Sequence, residues 1–174
     1  YNDDPVTKDA RFCGTTASMC GIESAGFEQD SAKMEKAIRK DLMLHAYMFM
    51  QAGIPMIYSG DEIGQVNDYT YKEDPDKCSD SRYIHRGAFK WKKEAENRND
   101  KDTVEGQIFA TLDYMEKLRA QEDILGPEAE VNTWETGDQE ILCMIRRWNG
   151  RTLTGIFNFA DRSKEFRLPQ EGLQ

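Results

Sequence analysis

The sequence predicts an α/β segment, helix–strand–helix, followed by antiparallel β structure, and three observations carry that reading. A long run of apolar residues at helical spacing ends at Gly53 and gives way at once to the continuously apolar Ile54–Tyr58. A second helical pattern recurs near residues 103–122. Beyond Gly126-Pro127 the period changes to two, with Asn149-Gly150 standing between two strand-like runs as a two-residue hairpin signal. Helix–strand–helix followed by hairpins is the order of an α/β element joined to a β-sandwich.

Taken in order, residues 1–30 are polar and rich in Gly and Asp, with an apolar stretch from Thr16 to Ile22; loop plus a short helix is expected. A long helix starts at Ser31, which is suited to the N-cap. Met34, Ile38, Leu42 and Phe49 recur on it at helical spacing. After Leu42 nearly every face is apolar (Met43, Leu44, Tyr47, Met48, Met50), which predicts deep burial of that end. Gly53 suits the C′ position. Ile54–Tyr58 reads as a buried strand, broken by Ser59-Gly60. Residues 59–101 then have little periodicity, and loops of that length in a compact domain are usually lids or binding loops. A helix over about 103–122 opens on the capping-box-like Asp102-x-x-Glu105, with Val104, Ile108, Leu112 and Met115 as its inner stripe. After the boundary, Ile141–Trp148 is strand-like. Thr152, Thr154, Ile156 and Asn158 then alternate with Leu153, Gly155, Phe157 and Phe159. Two regions are expected, 1–126 and 127–174.

The chain has 174 residues and a net charge of −9, an acidic balance that argues against nucleic acid or an anionic membrane as partner. No apolar run approaches the length of a membrane span, and no basic-then-apolar leader opens the sequence. It begins at Tyr1 rather than Met and stops at Gln174 soon after an apolar segment, as expected of a fragment or a processed product. Cys13, Cys20, Cys78 and Cys143 are scattered without a C-x-x-C. Buried free thiols are expected rather than a disulfide, which leans towards a cytoplasmic protein.

The chemistry concentrates after the expected strand. Asp61 and Glu62 appear abruptly at its end, followed by Asp68, Asp74, Asp76, Asp80 and Arg82. Charged groups gathered where a buried parallel strand ends are what an α/β active-site face looks like. By position alone Asp61 and Glu62 suit acid/base work; a structural ion-pair role is the competing reading. His45 lies on an apolar helix as a core residue. His85 has no second histidine near it in sequence, and no metal site is expected. The acidic stretch 68–80 lacks EF-hand spacing and reads as solvated. Trp91, Trp134 and Trp148 could stack on sugars, although packing is expected for at least two.

The run Gly53-Ile-Pro-Met-Ile-Tyr-Ser-Gly-Asp-Glu-Ile-Gly64, then Asn67-Asp68, then Asp80-Ser-Arg-Tyr-Ile-His-Arg86 resembles the last strand and following loop of the α-amylase clan (glycoside hydrolase family 13). The likeness is greatest to amylosucrase-type enzymes, which carry a D-S-R-x-x-H-R there; other clan members commonly have an N-A-R-T-P-M-Q-W type. Tyr1-Asn2 through Asp9-Ala-Arg-Phe-Cys-Gly-Thr-Thr-Ala-Ser18 resembles the loop before barrel helix 7. Arg98-Asn-Asp-x-x-Thr-x-x-Gly-Gln-Ile108 resembles the start of helix 8, and Gly155-Ile-Phe-Asn-Phe159 a strand of the C-terminal domain.

The resemblance implies the end of a (β/α)8 barrel, its last helix–strand–helix stretch, followed by a truncated antiparallel β domain. It implies a retaining mechanism on α-glucosides, sucrose or maltooligosaccharide, with hydrolysis or glucosyl transfer as the outcome. The family's three catalytic carboxylates sit at the ends of barrel strands 4, 5 and 7, positions that precede residue 1, so no catalytic residue is assigned in this chain. Arg82 matches an arginine that pairs with an upstream aspartate to floor the glucose pocket. Arg11 matches one reaching the acceptor side, with a solvated loop charge as the competing reading. Asp61, Glu62 and Asp80 match structural residues at the strand end. No cofactor is implied. An incomplete barrel would leave the strand with two free edges, inviting self-association. A carbohydrate-binding or interaction module without catalysis is the alternative.

Overall fold

The computed structural model describes residues 5–6 and 12–167. The chain divides into two compact units: Tyr1–Leu42 with Ile57–Thr111, and Met43–Met56 with Leu112–Gln174.

In the first unit, α1 (Thr16–Cys20) starts where the Thr15 hydroxyl accepts from the Ser18 N–H at 3.2 Å. It ends at Gly21 and leads into α2 (Ile22–Glu28). The long helix α3 (Ser31–Met50) is capped by Asp30, whose carboxylate accepts from the Lys33 N–H at 3.0 Å. Ser31, expected at the cap, is instead the first helical residue. Among the described residues, Ala17, Cys20, Ile22, Ala25, Ala37, Ile38, Ile63 and Ile108 are the buried apolar side chains of this unit. Residues 59–101, expected to be aperiodic, contain three 3-10 turns (Asp61–Ile63, Thr70–Glu73, Ser81–His85) and the helix α4 (Trp91–Asn97). These turns are local: backbone and Asx-type bonds close each within a few residues, so they leave no apolar period to read. Helix α5 (Val104–Gln121) is capped by Thr103, whose hydroxyl accepts from the Gly106 N–H at 3.0 Å. The expected Asp102–Glu105 box does not form; Glu105 accepts from the Asn97 side chain at 2.9 Å.

The Ile54–Tyr58 segment departs from its expected state. It forms no strand, and Ile54 and Met56 are 88% and 83% exposed. A strand exists only by pairing, and none of the strands among the described residues lies beside it. For a related reason the C-terminal half of α3 is not deeply buried all round. Phe49, Met50 and His45 are buried, but Met43, Leu44, Ala46 and Met48 are half-buried and Tyr47 is exposed.

The second unit carries the expected antiparallel structure, a three-stranded sheet in the order β1-β2-β3. Its strands are β1 (Glu130–Trp134), β2 (Ile141–Trp148) and β3 (Arg151–Asn158). Asn149 and Gly150 both have positive φ, 49° and 75°, the geometry of the type I′ turn that matches strand twist. The turn sets the register Trp148↔Arg151 through Ile141↔Asn158, which places Leu142 and Met144 on one face with Phe157 and Leu153. That face meets Met50, Ile124 and Leu125 in one apolar cluster, with Tyr47 edge-on to Phe157 at 5.9 Å. Gly155 lies opposite Met144, and a Cβ there would stand 2.9 Å from the Met50 methyl. The helix end packs onto the sheet where that side chain is missing.

On the same face β2 carries Arg146, which is fully buried. Its Nε donates to the Ile124 carbonyl at 2.7 Å and Nη1 to those of Met50 and Gln51, both at 3.0 Å; Nη2 donates to Gly126. From α5, Arg119 donates to the carbonyls of Phe49 and, at 2.7 Å, Gly53. The last carbonyls of a helix have no intrahelical donors and carry its negative dipole end, so two guanidiniums complete the end of α3. Burial, and then the neighbouring Arg119 charge, lower the Arg146 pKa from the ordinary arginine value. Gly53 lies three residues past the helix with φ of 89°, beyond the C′ position expected for it.

Candidate functional site in the loop after Gly60

Gly60 and Gly64, with φ of 103° and 63°, bracket the turn Asp61–Ile63 and let the chain reverse direction twice within five residues. A Cβ on Gly64 would run into the Ile108 side chain, so this turn sits tightly on α5. The Glu62 carboxylate turns back and accepts from the Gly60 N–H at 2.7 Å. Asp61 is half-buried and its N–H bonds the Tyr58 carbonyl at 2.9 Å. Glu62 is thus engaged by the backbone of its own turn.

Asn67 fastens the loop to the start of α1. Its Oδ1 accepts from the Thr15 N–H at 2.9 Å, its N–H donates to Ser18 Oγ at 2.9 Å, and its Nδ2 donates to Glu23 at 3.2 Å. The N–H of Asp68 then bonds the Ile84 carbonyl at 2.8 Å, and Gln65 Nε2 the Gly87 carbonyl at 3.3 Å. Hydrogen bonds from the Thr70 hydroxyl and N–H lower the Asp68 pKa. Segments distant in sequence therefore meet here: residues 15–23, 65–70 and 84–87.

Within that frame lies the Asp80–Arg82 pair. Arg82 Nε donates to both Asp80 carboxylate oxygens, at 2.9 and 3.0 Å, and Nη2 donates to Oδ2 at 2.6 Å. The Arg82 N–H adds a 2.9 Å bond to Oδ1, making Asp80 the cap of the 3-10 turn Ser81–His85. This fork uses the planar donor geometry that only arginine offers. Arg82 was expected to meet an aspartate from upstream of the chain; among the described residues its guanidinium is engaged by Asp80, two positions away. The side chains of Asp80 and Arg82 are 22% and 43% exposed. His85 follows on the same turn, edge-on to Tyr58 at 5.7 Å, with its Nδ1 buried and lacking a hydrogen-bond partner.

The side-chain bond from Arg82, then its N–H, hold the Asp80 pKa down from 3.8 to about 2. A depressed carboxylate pKa stabilises the loop above the ordinary carboxylate range, and the contribution is lost as pH falls from about 4 towards 2. In a carbon-detected NMR titration the Asp80 carboxyl is expected to titrate near 2, moving up towards 3.8 in Arg82→Ala. An Asp80 midpoint near 3.8 in the unaltered chain would overturn the fork.

Of the residues expected at the site, Asp61, Glu62, Asp80 and Arg82 all lie in this loop system. Arg11 lies outside the described residues. His45 is buried on α3, as expected of a core residue. Trp134 and Trp148 are half-buried in the second unit, while Trp91 is 75% exposed and tilts against Phe89 at 4.5 Å. All four cysteines are free; Cys20 and Cys143 are buried and Cys78 is exposed. Burial, then Asp41, push the Cys20 pKa up to about 11. Among the described residues no cluster of three or more His, Cys, Asp or Glu is arranged to hold a metal. Nor is any helix there long and apolar enough to cross a membrane. The role of Asn67 was signalled in the sequence only by the Asn67-Asp68 dipeptide. No family model matches the chain.

Proposed function

We propose that this chain is the C-terminal part of a retaining α-glucoside-active enzyme of the α-amylase clan, amylosucrase-like in its D-S-R-x-x-H-R loop. The observation that carries the reading is the Asp80–Arg82 fork, set in a loop whose Asn67-Asp68 dipeptide is fastened to Thr15 and Ser18. Each of these residues belongs to a motif on which the resemblance rests. The order of α3, an apolar extended segment, α5 and a hairpin sheet is consistent with the end of a barrel followed by a β domain.

On this reading the Arg82 loop closes the blind end of a glucose pocket. A guanidinium oriented by Asp80 presents fixed donors to sugar hydroxyls or to a carboxylate. A closed end also admits a single terminal glucosyl unit and restricts water, which bears on transfer against hydrolysis. Asp61 and Glu62 shape the turn that leads into the loop. The covalent chemistry belongs to carboxylates that the family carries upstream.

The purified chain is therefore expected to release no glucose or fructose from sucrose and to leave maltoheptaose unchanged. The complete parent is expected to turn over one of them. The test is product chromatography of both preparations over a long incubation. Turnover by the isolated chain that vanishes in Asp61→Asn or Glu62→Gln would make that pair catalytic and sink the proposal.

A further inference from the structure

Most asparagine side chains of the described residues are tied down. Asn67 donates to Glu23, Asn97 to Glu105, Asn99 to the Ala95 carbonyl, Asn132 to Glu130 and Asn158 to the Arg162 carbonyl. Asn149 differs. It is exposed, and its side chain makes no hydrogen bond to a described residue. Among the described asparagines it alone precedes a glycine, so no side chain crowds the next amide nitrogen. Gly150 is exposed as well; a Cβ built on it would meet nothing within 4 Å. Its N–H makes no backbone hydrogen bond to a described residue. The hairpin explains that freedom: the ladder closes at Trp148↔Arg151, and both turn residues lie outside it.

We infer that Asn149 is a site of spontaneous covalent modification, deamidation through a succinimide to aspartate and isoaspartate. The Gly150 nitrogen gives its proton to solvent base and attacks Asn149 Cγ. The new C–N bond closes the succinimide ring, and the side-chain nitrogen leaves as ammonia, taking a proton from water. Water then opens the ring at Cγ, giving aspartate, or at the main-chain carbonyl, giving isoaspartate. The net change is uptake of water and release of ammonia, with nothing oxidised or reduced. The two products act differently on the sheet. Aspartate accepts a positive φ as asparagine does, so the turn survives. Isoaspartate routes the main chain through Cβ and Cγ, and the longer link cannot keep the two-residue turn that pairs Trp148 with Arg151. The loosening reaches the core, because Trp148 packs on the apolar cluster under the sheet. None of this chemistry depends on the function proposed above.

The test is incubation of the folded whole chain in mildly alkaline buffer, followed by peptide mapping against an unincubated control. Cleavage after Arg147 and Arg151 releases Trp148–Arg151 as its own peptide. That peptide is expected to gain the mass of an NH2-to-OH exchange and to become a substrate for isoaspartyl methylation. Conversion at Asn149 should run about tenfold or more ahead of any other described asparagine. Asn149→Gly keeps a turn that accepts positive φ at both positions, and should abolish the acidic product. Asn149 left intact while the synthetic peptide of residues 145–154 converts would overturn the inference, since the fold would then protect the turn. Another described asparagine converting first would overturn it too. Amide hydrogen exchange at Trp148 and Arg151 is expected to quicken in the isoaspartyl chain and not in Asn149→Asp. Equal exchange in fresh and isoaspartyl chains would overturn the link to the hairpin.

Discussion

Replacing Arg146 by Ala or Met is expected to destabilise the second unit by about 3–5 kcal/mol, a large part of the stability of a small domain. The side chain is fully buried, and its three nitrogens supply the carbonyls of Ile124, Met50, Gln51 and Gly126. Each acceptor left buried without a donor costs roughly 1–3 kcal/mol, and water entering the vacated space recovers part of that. A buried ion pair can be exchanged for a hydrophobic side chain at little cost, because both charges leave together. Here the partners are backbone carbonyls that cannot leave, so Met should fare little better than Ala. Arg146→Lys retains the charge but not the fork, and is expected to fall between. Urea unfolding, with hydrogen exchange at Phe49–Gln51 to localise the loss, checks this. A change below about 1 kcal/mol in Arg146→Met would show that the carbonyls find other donors.

Arg82→Ala is expected to act on a different quantity. Its fork with Asp80 is partly exposed, so the substitution should leave the unfolding midpoint of the chain nearly unchanged. On the function proposed above, the same change in the complete parent would open the blind end of the pocket and leave a shielded carboxylate without its partner. A loss of about a hundredfold or more in kcat/KM on sucrose is expected, since each ~1.4 kcal/mol is about tenfold in rate. Arg82→Lys should recover little, because an ammonium cannot make the two parallel bonds seen to Asp80, Nε to Oδ1 and Nη2 to Oδ2. Steady-state kinetics on sucrose, set beside thermal unfolding of the same proteins, separates a pocket role from a folding role. Near wild-type kcat/KM in Arg82→Ala would remove Arg82 from the pocket and with it the strongest residue of the proposal.

Elements whose cause is local were legible. The 20-residue helix α3 begins within one residue of its expected start and ends three residues before the glycine chosen as its stop. The turn and the first strand of the hairpin were read to the residue and the second strand to within one residue at each end, because Asn149-Gly150 fixes both turn type and register and every side chain then follows by alternation. Capping was misassigned by one position at both long helices. Asp30 and Ser31, like Asp102 and Thr103, are adjacent candidates, and backbone angles rather than composition choose between them. The site was legible as a set of loop residues, but not as a geometry. That Arg82 turns onto Asp80, and that Asn67 reaches Thr15 across fifty-two positions, depends on a path through three turns with no periodic signature.

By itself the sequence determined where the two long helices and the hairpin lie and which loop gathers the charges, since period, turn chemistry and capping act between near neighbours. Only the tertiary structure decided the fate of Ile54–Tyr58 and of Arg146. An apolar segment becomes a buried strand only when other strands flank it, and here Ile54 and Met56 remain exposed. An arginine within an apolar strand reads as an interruption until the carbonyls of a helix end and of the Ile124–Gly126 turn converge on it. Both outcomes are set by what the rest of the chain brings to the residue, and a string of neighbours does not contain that information.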